Sequence, residues 1–249
     1  MGRTLAILRA REFSPNAVAK DEAIMMAVVE RLRAQGRAVD VVNEREPWTL
    51  PSDCDQVITM GRLPETLRRL QDVSVSVINR PEGVAHCSRK ALQQLMRAHD
   101  IPMPPEKGDC GYWLKRGDVA GSMSDDDVVF VADADELKAR VDGFRQRGIG
   151  DYTVSAHVKG EEVKFYGVLH ADFFRSYSLT GQQPALVPGL REAAERLAAV
   201  VGVEVYGGDC IVRQDGTFCI IDFNDWPSFS WCREEAAGAI VSAIVTIAK

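Results

Sequence analysis

Long apolar segments are missing from this 249-residue sequence, although 46% of its residues are hydrophobic. No apolar run reaches the roughly 18 residues that a membrane-spanning helix needs. The first residues lead straight into a short strand-like segment and not into the apolar core of a signal peptide. Ala6 stands where a myristoylation signal requires Ser or Thr. We therefore expect a cytoplasmic protein with no membrane partner.

Basic blocks are missing as well, and the net charge is -6. This balance argues against nucleic acid as the main partner. The six cysteines show no C-x-x-C motif and no metal-ligand spacing, which favours a reducing compartment. Cys210 and Cys219 lie inside apolar runs, where a free cysteine acts as a small core residue.

What the sequence does contain is, first, a β-α-β pattern over residues 1–80. Strands are predicted over 4–9, 38–42, 56–60 and 73–79, with one helix ending near residue 35 and another over 64–70. This order implies parallel strands joined by right-handed crossovers. G-x-G-x-x-G is absent, so we do not predict a dinucleotide site. Residues 1–80 are expected to form a small open α/β domain.

A break is predicted over 79–83, and the pattern then changes to strands with intervening helices. The predicted strands cover 111–115, 128–131, 151–158, 161–169 and 172–178, and the predicted helices cover 88–100, 135–147, 190–201 and 234–248. Between 116 and 127 lies a small, polar, glycine-containing loop. Its backbone N–H groups could face a phosphate, although the loop alone favours an exposed hairpin connection with a solvated acidic run.

The stretch from 207 to 227 contains the strongest hairpin signal, because two apolar runs flank Asp215-Gly216. A two-residue turn there places Asp209 directly opposite Asp222, at about 4.5–5.5 Å between Cβ atoms. Asn224 emerges on the same face as Asp222. Oxygen ligands on a rigid sheet suit Mg²⁺. The alternative is an ordinary polar cluster near a turn.

Taken together, these segments resemble the ATP-grasp superfamily, in particular the branch with glutathione synthetases and ribosomal-protein glutamate ligases. That family carries Gly-x-Asp and, about a dozen residues later, Glu-x-Asn-x-x-Pro. Here the two motifs read 207–209 and 222–227, with Asp222 in place of the usual Glu and Ser228 in place of the Gly that commonly follows. The resemblance implies that Asp209, Asp222 and Asn224 hold Mg²⁺, or Mn²⁺ in its place.

The resemblance also implies an architecture. An α/β N-terminal domain (1–80) is followed by an α+β ATP-grasp fold, whose two lobes of antiparallel sheets and helices hold ATP between them. The first lobe is expected over 81–153, with a phosphate flap near 116–127. The second is expected over 154–249, with the hinge, the metal hairpin and the terminal helix.

Several residues correspond to the family's phosphate contacts. Arg89 or Lys90, at the start of a helix, stands where the family has a phosphate-binding Lys, although a basic first turn on a solvated helix face explains them equally well. Lys115 matches the strand-borne Lys that precedes the flap. Gly121 and Ser122 fall in the flap itself.

The adenine and ribose end is expected at the hinge. The resemblance assigns the adenine edge to the segment of Ser155, Ala156, His157 and Val158, with Ala156 in place of the family's frequent Glu. It assigns the ribose hydroxyls to Glu162.

Two further cations are expected near the chemistry. Lys164 matches the residue that meets the terminal phosphate or the acyl substrate, and it shares a strand face with Glu162. Arg175 is a second candidate for anion contact. An exposed ion pair between Glu162 and Lys164 is the simpler alternative.

The activity implied is that of an ATP-dependent ligase that joins a small carboxylate to an amine, or to a thiol, through an acyl phosphate. A kinase acting on a small molecule and a non-catalytic nucleotide-binding domain are the competing interpretations. Product analysis separates the first two. The expected partners are ATP and the small substrates, and the resemblance also suggests a homodimer.

Overall fold

A computed structural model of the protein describes residues 2–14, 17–117 and 125–247. The strands are β1 (Arg3–Leu8), β2 (Ala38–Asn43), β3 (Cys54–Thr59), β4 (Ser76–Ile78), β5 (Tyr112–Arg116), β6 (Val128–Val131), β7 (Tyr152–Ala156), β8 (Glu161–Val168), β9 (Phe173–Ser178), β10 (Val205–Val212) and β11 (Phe218–Asp225). The helices are α1 (Val18–Ala34), α2 (Pro64–Gln71), α3 (Pro81–His86), α4 (Arg89–Ala98), α5 (Ala134–Gln146), α6 (Leu190–Val201) and α7 (Arg233–Ile247). None of the helices in these three ranges has the length and apolar character needed to cross a membrane.

The first four strands form a parallel sheet in the order β2-β1-β3-β4. β1 is central because its middle residues, Leu5 to Ile7, are apolar and buried on both faces. The prediction of parallel strands is confirmed. The polypeptide leaves β1 and β3 at the same edge of this sheet, which brings Arg9 and Arg62 to one place.

The remaining strands form two antiparallel sheets, ordered β6-β5-β7 and β11-β10-β8-β9. The predicted α/β region followed by an α+β region is therefore confirmed. Helices α4 and α6 cover the sheet β11-β10-β8-β9 through Leu92, Leu197 and neighbouring apolar side chains. Cys210 and Cys219 are buried in its strands as free thiols, as predicted.

One predicted break is wrong. Over 79–83 the chain forms the start of α3, with Pro81 at the first helical position. Proline is compatible with that position because the missing N–H has no helical partner there. Asn79, directly before the helix, is buried and bonds the backbone of β10: its amide donates to the Val205 carbonyl and its oxygen accepts from the Val205 and Glu204 N–H groups.

The largest apolar core joins the beginning of the chain to its end. Helix α1 contributes Ile24, Val28 and Leu32, and helix α7 contributes Ala237 and Ile240. Small side chains on α7 let the two helices approach closely. The division into 1–80, 81–153 and 154–249 stays a prediction, because apolar packing here runs across its first boundary.

Candidate active site

The hairpin of β10 and β11 places Asp209 opposite Asp222, as predicted, but by a different route. The turn has three residues and not two, since the Arg213 N–H donates to the Thr217 carbonyl at 2.8 Å and Gly216 adopts φ 81°. Next to the turn, facing positions are therefore offset by one. A β-bulge opposite the step from Cys210 to Asp209 cancels this offset, so that Asp209 again faces Asp222. The predicted two-residue turn is wrong, and the predicted pairing of the carboxylates is confirmed.

Four polar side chains meet over this part of the sheet. Lys164 on β8 pairs with Asp209 on β10, and its Nζ donates to Asp209 Oδ1 at 2.6 Å. Asn224 Nδ2 donates to Asp222 Oδ2 at 2.6 Å. Burial raises the pKa of the Asp209 carboxyl, Lys164 opposes the rise, and Asp222 adds to it. The four groups thus form a compact cluster with two acids and one cation.

Lys115 on β5 connects the two antiparallel sheets at this point. Its Nζ donates to the carbonyl of Ile221 at 3.4 Å, and Ile221 is the extra residue of the bulge. Burial lowers the pKa of the Lys115 ammonium, Asp222 opposes that effect, and Arg89 adds to it. An ammonium group in such surroundings gains from a further anion beside it.

Arg89 and Lys90 open helix α4 but point to different places. Arg89 lines the cleft next to the hairpin, and its Nη1 donates to the Arg116 carbonyl at 3.1 Å. Lys90 is half-exposed and forms an ion pair with Asp151 on the far side of the helix start. Of the two residues between which the sequence left the choice open, Arg89 lines the cleft and Lys90 does not, and phosphate contact stays a prediction.

A cleft of about 590 Å³ runs from this cluster towards the N-terminal sheet. Arg89, Lys164, Asp222 and Asn224 line one end. Towards the other end, the lining residues come from the segment after β1 and from the loop after β11 and include Phe13, Lys20, Ser228, Ser230 and Trp231. One end therefore carries two of the candidate metal ligands with two cations, and the other combines aromatic and hydroxyl groups with further charged side chains.

No family model matches the sequence, and no curated protein matches it either. Solved structures match the fold over almost the whole chain. D-alanine–D-alanine ligase from Bacillus anthracis, complexed with ATP, has a TM-score of 0.71 at 12% identity, covering 100% of this chain and 99% of that one. A RimK domain ATP-grasp protein from Sphaerobacter thermophilus has a TM-score of 0.69 at 19% identity, covering 97% and 99%. The ATP-grasp ligase PsnB, complexed with precursor peptide PsnA2 and AMPPNP, has a TM-score of 0.67 at 16% identity, covering 100% and 97%.

The chain has the ATP-grasp fold. The prediction of this fold is confirmed, whereas the narrower assignment to the glutathione synthetase branch stays a prediction. The two antiparallel sheets of this fold meet where Lys115 contacts Ile221.

The donor set of the hairpin fits a hard divalent cation. Asp209 and Asp222 offer carboxylates, and turning the Asn224 amide over presents its oxygen. Among the described residues, no three His, Cys, Asp or Glu side chains cluster as a metal site. Two carboxylates are what Mg²⁺ needs when substrate phosphates complete its coordination, so the residues fit a shared ion better than a protein-only cage.

The hinge residues lie outside the cleft lining. The N–H groups of Ala156 and His157 donate to the carbonyls of Pro105 and Gly111, each at 2.8 Å. Trp113 Nε1 bonds His157 Nδ1 at 3.1 Å. Ser155 is paired with Trp113 across β5 and β7, and Val158 follows in the connection to β8. These contacts fix the hinge to the segment before β5; a role in adenine binding stays a prediction.

The other predicted residues are placed as follows. Glu162 lies exposed near the start of β8, two residues from Lys164. Arg175 lies on β9, where its guanidinium pairs with Glu235 of α7 and stacks over Phe173. The structure therefore does not bring Arg175 to the cleft. Gly121 and Ser122 lie outside the described residues.

Several charged residues of the cleft lining were not predicted from the sequence, among them Arg9, Arg62 and Asp225. Arg9 and Arg62 each come directly after or shortly after a strand of the parallel sheet. Ligand-binding residues of open α/β sheets commonly lie at the carboxyl ends of strands. That rule, applied to β1 and β3, was the signal that could have found the two arginines.

Proposed function

We propose that this protein is an ATP-dependent ligase that joins a carboxylate to an amine, or to a thiol, through an acyl phosphate. The observation that carries the proposal is the meeting of Asp209 and Asp222 with Asn224 and Lys164 at one end of a cleft. Two facing carboxylates destabilise a sheet unless a cation compensates them. A purely structural sheet gains nothing from two facing carboxylates, whereas a metal–nucleotide site needs them as ligands.

The chain's own cations would neutralise the triphosphate. Lys164 on β8 and Arg89 on α4 line the cleft, and Lys115 approaches from β5. Fixed charges in a partly dry site stabilise transferring phosphoryl groups more than they would in water. Asp209, Asp222 and Asn224 would hold Mg²⁺, which would supply positive charge to offset that of the phosphates.

The reaction needs positioning more than proton transfer. A carboxylate oxygen of the substrate attacks the γ-phosphorus in line, and the bond to the ADP oxygen breaks. The amine nitrogen then attacks the acyl carbon, phosphate leaves with the electrons of the acyl–oxygen bond, and the nitrogen loses its proton. In this proposal Lys164, which lines the cleft beside Asp222, holds the γ-phosphate and then the acyl phosphate.

Similar structures support ATP as the nucleotide. The ligase from Bacillus anthracis is complexed with ATP, and PsnB is complexed with AMPPNP and a precursor peptide. At 12–19% identity these likenesses extend to the fold alone. The carboxylate and the amine of this protein therefore have to be found by experiment.

The test is a screen for ADP release over amino acids and small carboxylates, each offered with a range of amines and thiols. Asp222→Asn should lower any activity by about 100-fold or more, because it removes one anchor of the metal. Asp215→Asn is the matched control, since it makes the same change in the exposed turn of the same hairpin and should retain activity.

The products decide between the competing functions. ADP, phosphate and a new amide or thioester support the ligase. A stable phosphorylated product would indicate a kinase, and tight Mg-ATP binding with no turnover of any acceptor would indicate a binding domain. Full activity in Asp222→Asn would remove the proposed metal site.

A further inference from the structure

A buried ion cluster lies where the parallel sheet meets the end of β11. Asp225, the last residue of β11, has no exposed side-chain surface. Arg9 Nη2 donates to its Oδ2 at 3.2 Å, and Arg62 forms an ion pair with its Oδ1. The two arginine side chains are only 7% and 15% exposed. We call Arg9, Arg62 and Asp225 the arginine clamp.

The backbone next to both arginines is held by one carboxylate, that of Glu44. Glu44, which follows β2, accepts from the Ala10 N–H at 2.7 Å through Oε1. Its Oε2 accepts from the N–H groups of Arg62 and Leu63 at 2.9 and 2.8 Å. One buried side chain thus fixes the backbone after β1 and after β3. The carboxyl edge of the parallel sheet presents Arg9 and Arg62 as a preformed pair.

Arg9 also holds the backbone that follows the candidate metal ligands. Its Nη2 lies 3.2 Å from the Asp225 carbonyl oxygen and 3.4 Å from that of Trp226. Trp226 has φ 40°, a left-handed conformation that is strained for a non-glycine residue. Such a conformation persists only where the surroundings impose it. Arg9 supplies part of that constraint.

The position of the clamp in the sequence gives it a consequence for the site. Asp225 directly follows Asn224 and comes three residues after Asp222. Its side chain leaves the strand on the face opposite to theirs. Fixing Asp225 from one face therefore fixes the rotation of the strand, and with it the direction in which the two ligands point.

We propose that Arg9, Arg62 and Asp225 are positioning residues, which orient Asp222 and Asn224 for the metal ion by holding β11 against the parallel sheet. This inference rests on the proposed function, because it presumes that Asp222 and Asn224 bind a metal with nucleotide. The clamp residues line the cleft, but the arginines pair with Asp225 and not with Asp222 or Asn224. The clamp acts through the backbone of β11, as outer groups do that orient the ligands of a metal.

The experiment measures how much magnesium adds to nucleotide binding. ADP affinity is determined by calorimetry with Mg²⁺ and again with excess EDTA. The readout is the dissociation constant in EDTA divided by the dissociation constant with Mg²⁺. Asp225→Asn removes the charge, and the milder Arg62→Lys keeps the charge but loses the planar fork. Arg31→Gln is the control, because Arg31 forms an exposed ion pair between α1 and α7. Melting curves show that each variant is folded at the temperature used.

In the clamp variants, the ratio should fall by about tenfold, while the affinity in EDTA stays unchanged. Arg31→Gln should keep the wild-type ratio. A folded Arg62→Lys or Asp225→Asn protein with the wild-type ratio would overturn the positioning role. If magnesium adds nothing in the wild-type protein, the proposed metal site fails first, and the positioning role fails with it. The wild-type measurement thus separates the two failures.

Discussion

Two acidic residues of β11, three positions apart, lie in opposite surroundings. Asp222 faces Asp209 across the hairpin, and Lys164 is the one cation that bonds this pair directly among the described residues. Three positions later, Asp225 is fully buried between two arginines. One strand therefore carries a cluster with an excess of carboxylate and a cluster in which the carboxylate is satisfied.

The difference separates groups that serve a ligand from groups that serve the fold. A satisfied buried ion pair contributes nothing more when a ligand arrives, but removing one partner leaves a charge unpaired. Facing carboxylates have the opposite property, because they cost stability until a cation compensates them. We expect substitutions in the first cluster to change binding directly, and substitutions in the second to change stability and, through the backbone of β11, the contribution of the metal to binding.

Asp225→Ala is expected to have the largest effect. It leaves Arg9 and Arg62 buried and without their shared carboxylate, so the free energy of unfolding should fall by about 3–5 kcal/mol. Denaturant unfolding followed by circular dichroism measures the change. Asp222→Ala, in the same strand, should cost little or nothing, because it relieves the repulsion with Asp209. Equal losses in both variants would contradict the distinction.

Lys115→Met tests the other side of the comparison. Burial lowers the pKa of Lys115, with Asp222 opposing the shift and Arg89 adding to it, so its charged form is unfavourable in the folded protein. The variant should gain about 1 kcal/mol of stability and lose affinity for Mg-ATP, a trade-off common at functional sites. Thermal melting and calorimetry check the two effects. Lys90→Met, at a half-exposed lysine, should show neither, and a Lys115→Met protein that is less stable would count against the assignment.

Glu204 carries a buried carboxylate that belongs to neither cluster, and Glu204→Gln tests what its charge costs. Its Oε2 is buried with no hydrogen-bond partner among the described residues. Burial raises the pKa of its carboxyl, and a backbone hydrogen bond and Arg80 only partly offset this. The folded protein therefore loses stability as pH rises from the unfolded pKa through the higher folded one.

The amide should thus stabilise the protein by about 1 kcal/mol at neutral pH, and the gain should vanish below about pH 4, where both states are protonated. Unfolding curves between pH 4 and 8 measure it, with the exposed Glu30→Gln as control. A gain that is the same at every pH would show that the charge is not the cause.

Local patterns in the sequence were sufficient to predict the parallel sheet and the antiparallel strands, because each depends on apolar periodicity and on turns between near neighbours. The hairpin shows where such reasoning fails. The extra residue in the turn and the extra residue in the bulge shift the register in opposite directions, so Asp209 and Asp222 face each other although the predicted turn is wrong. The bulge leaves no mark in the residue types themselves.

The clamp could not be predicted in the same way. Asp225 lies 216 residues from Arg9 and 163 from Arg62, so nothing local connects them. The directions of Lys90 and Arg175 depend likewise on partners elsewhere in the fold, Asp151 and Glu235. Sequence motifs identified candidate side chains; which of them share a cleft is decided by tertiary packing.

The packing of α1 against α7 has a consequence for biosynthesis. Helix α1 ends at Ala34 and α7 begins at Arg233, so a ribosome needs on the order of 10–40 s to make the segment between them. During that interval the apolar side chains of α1 have no native cover on this face. The nascent protein therefore depends on other protection, from chaperones or from transient contacts, until α7 emerges.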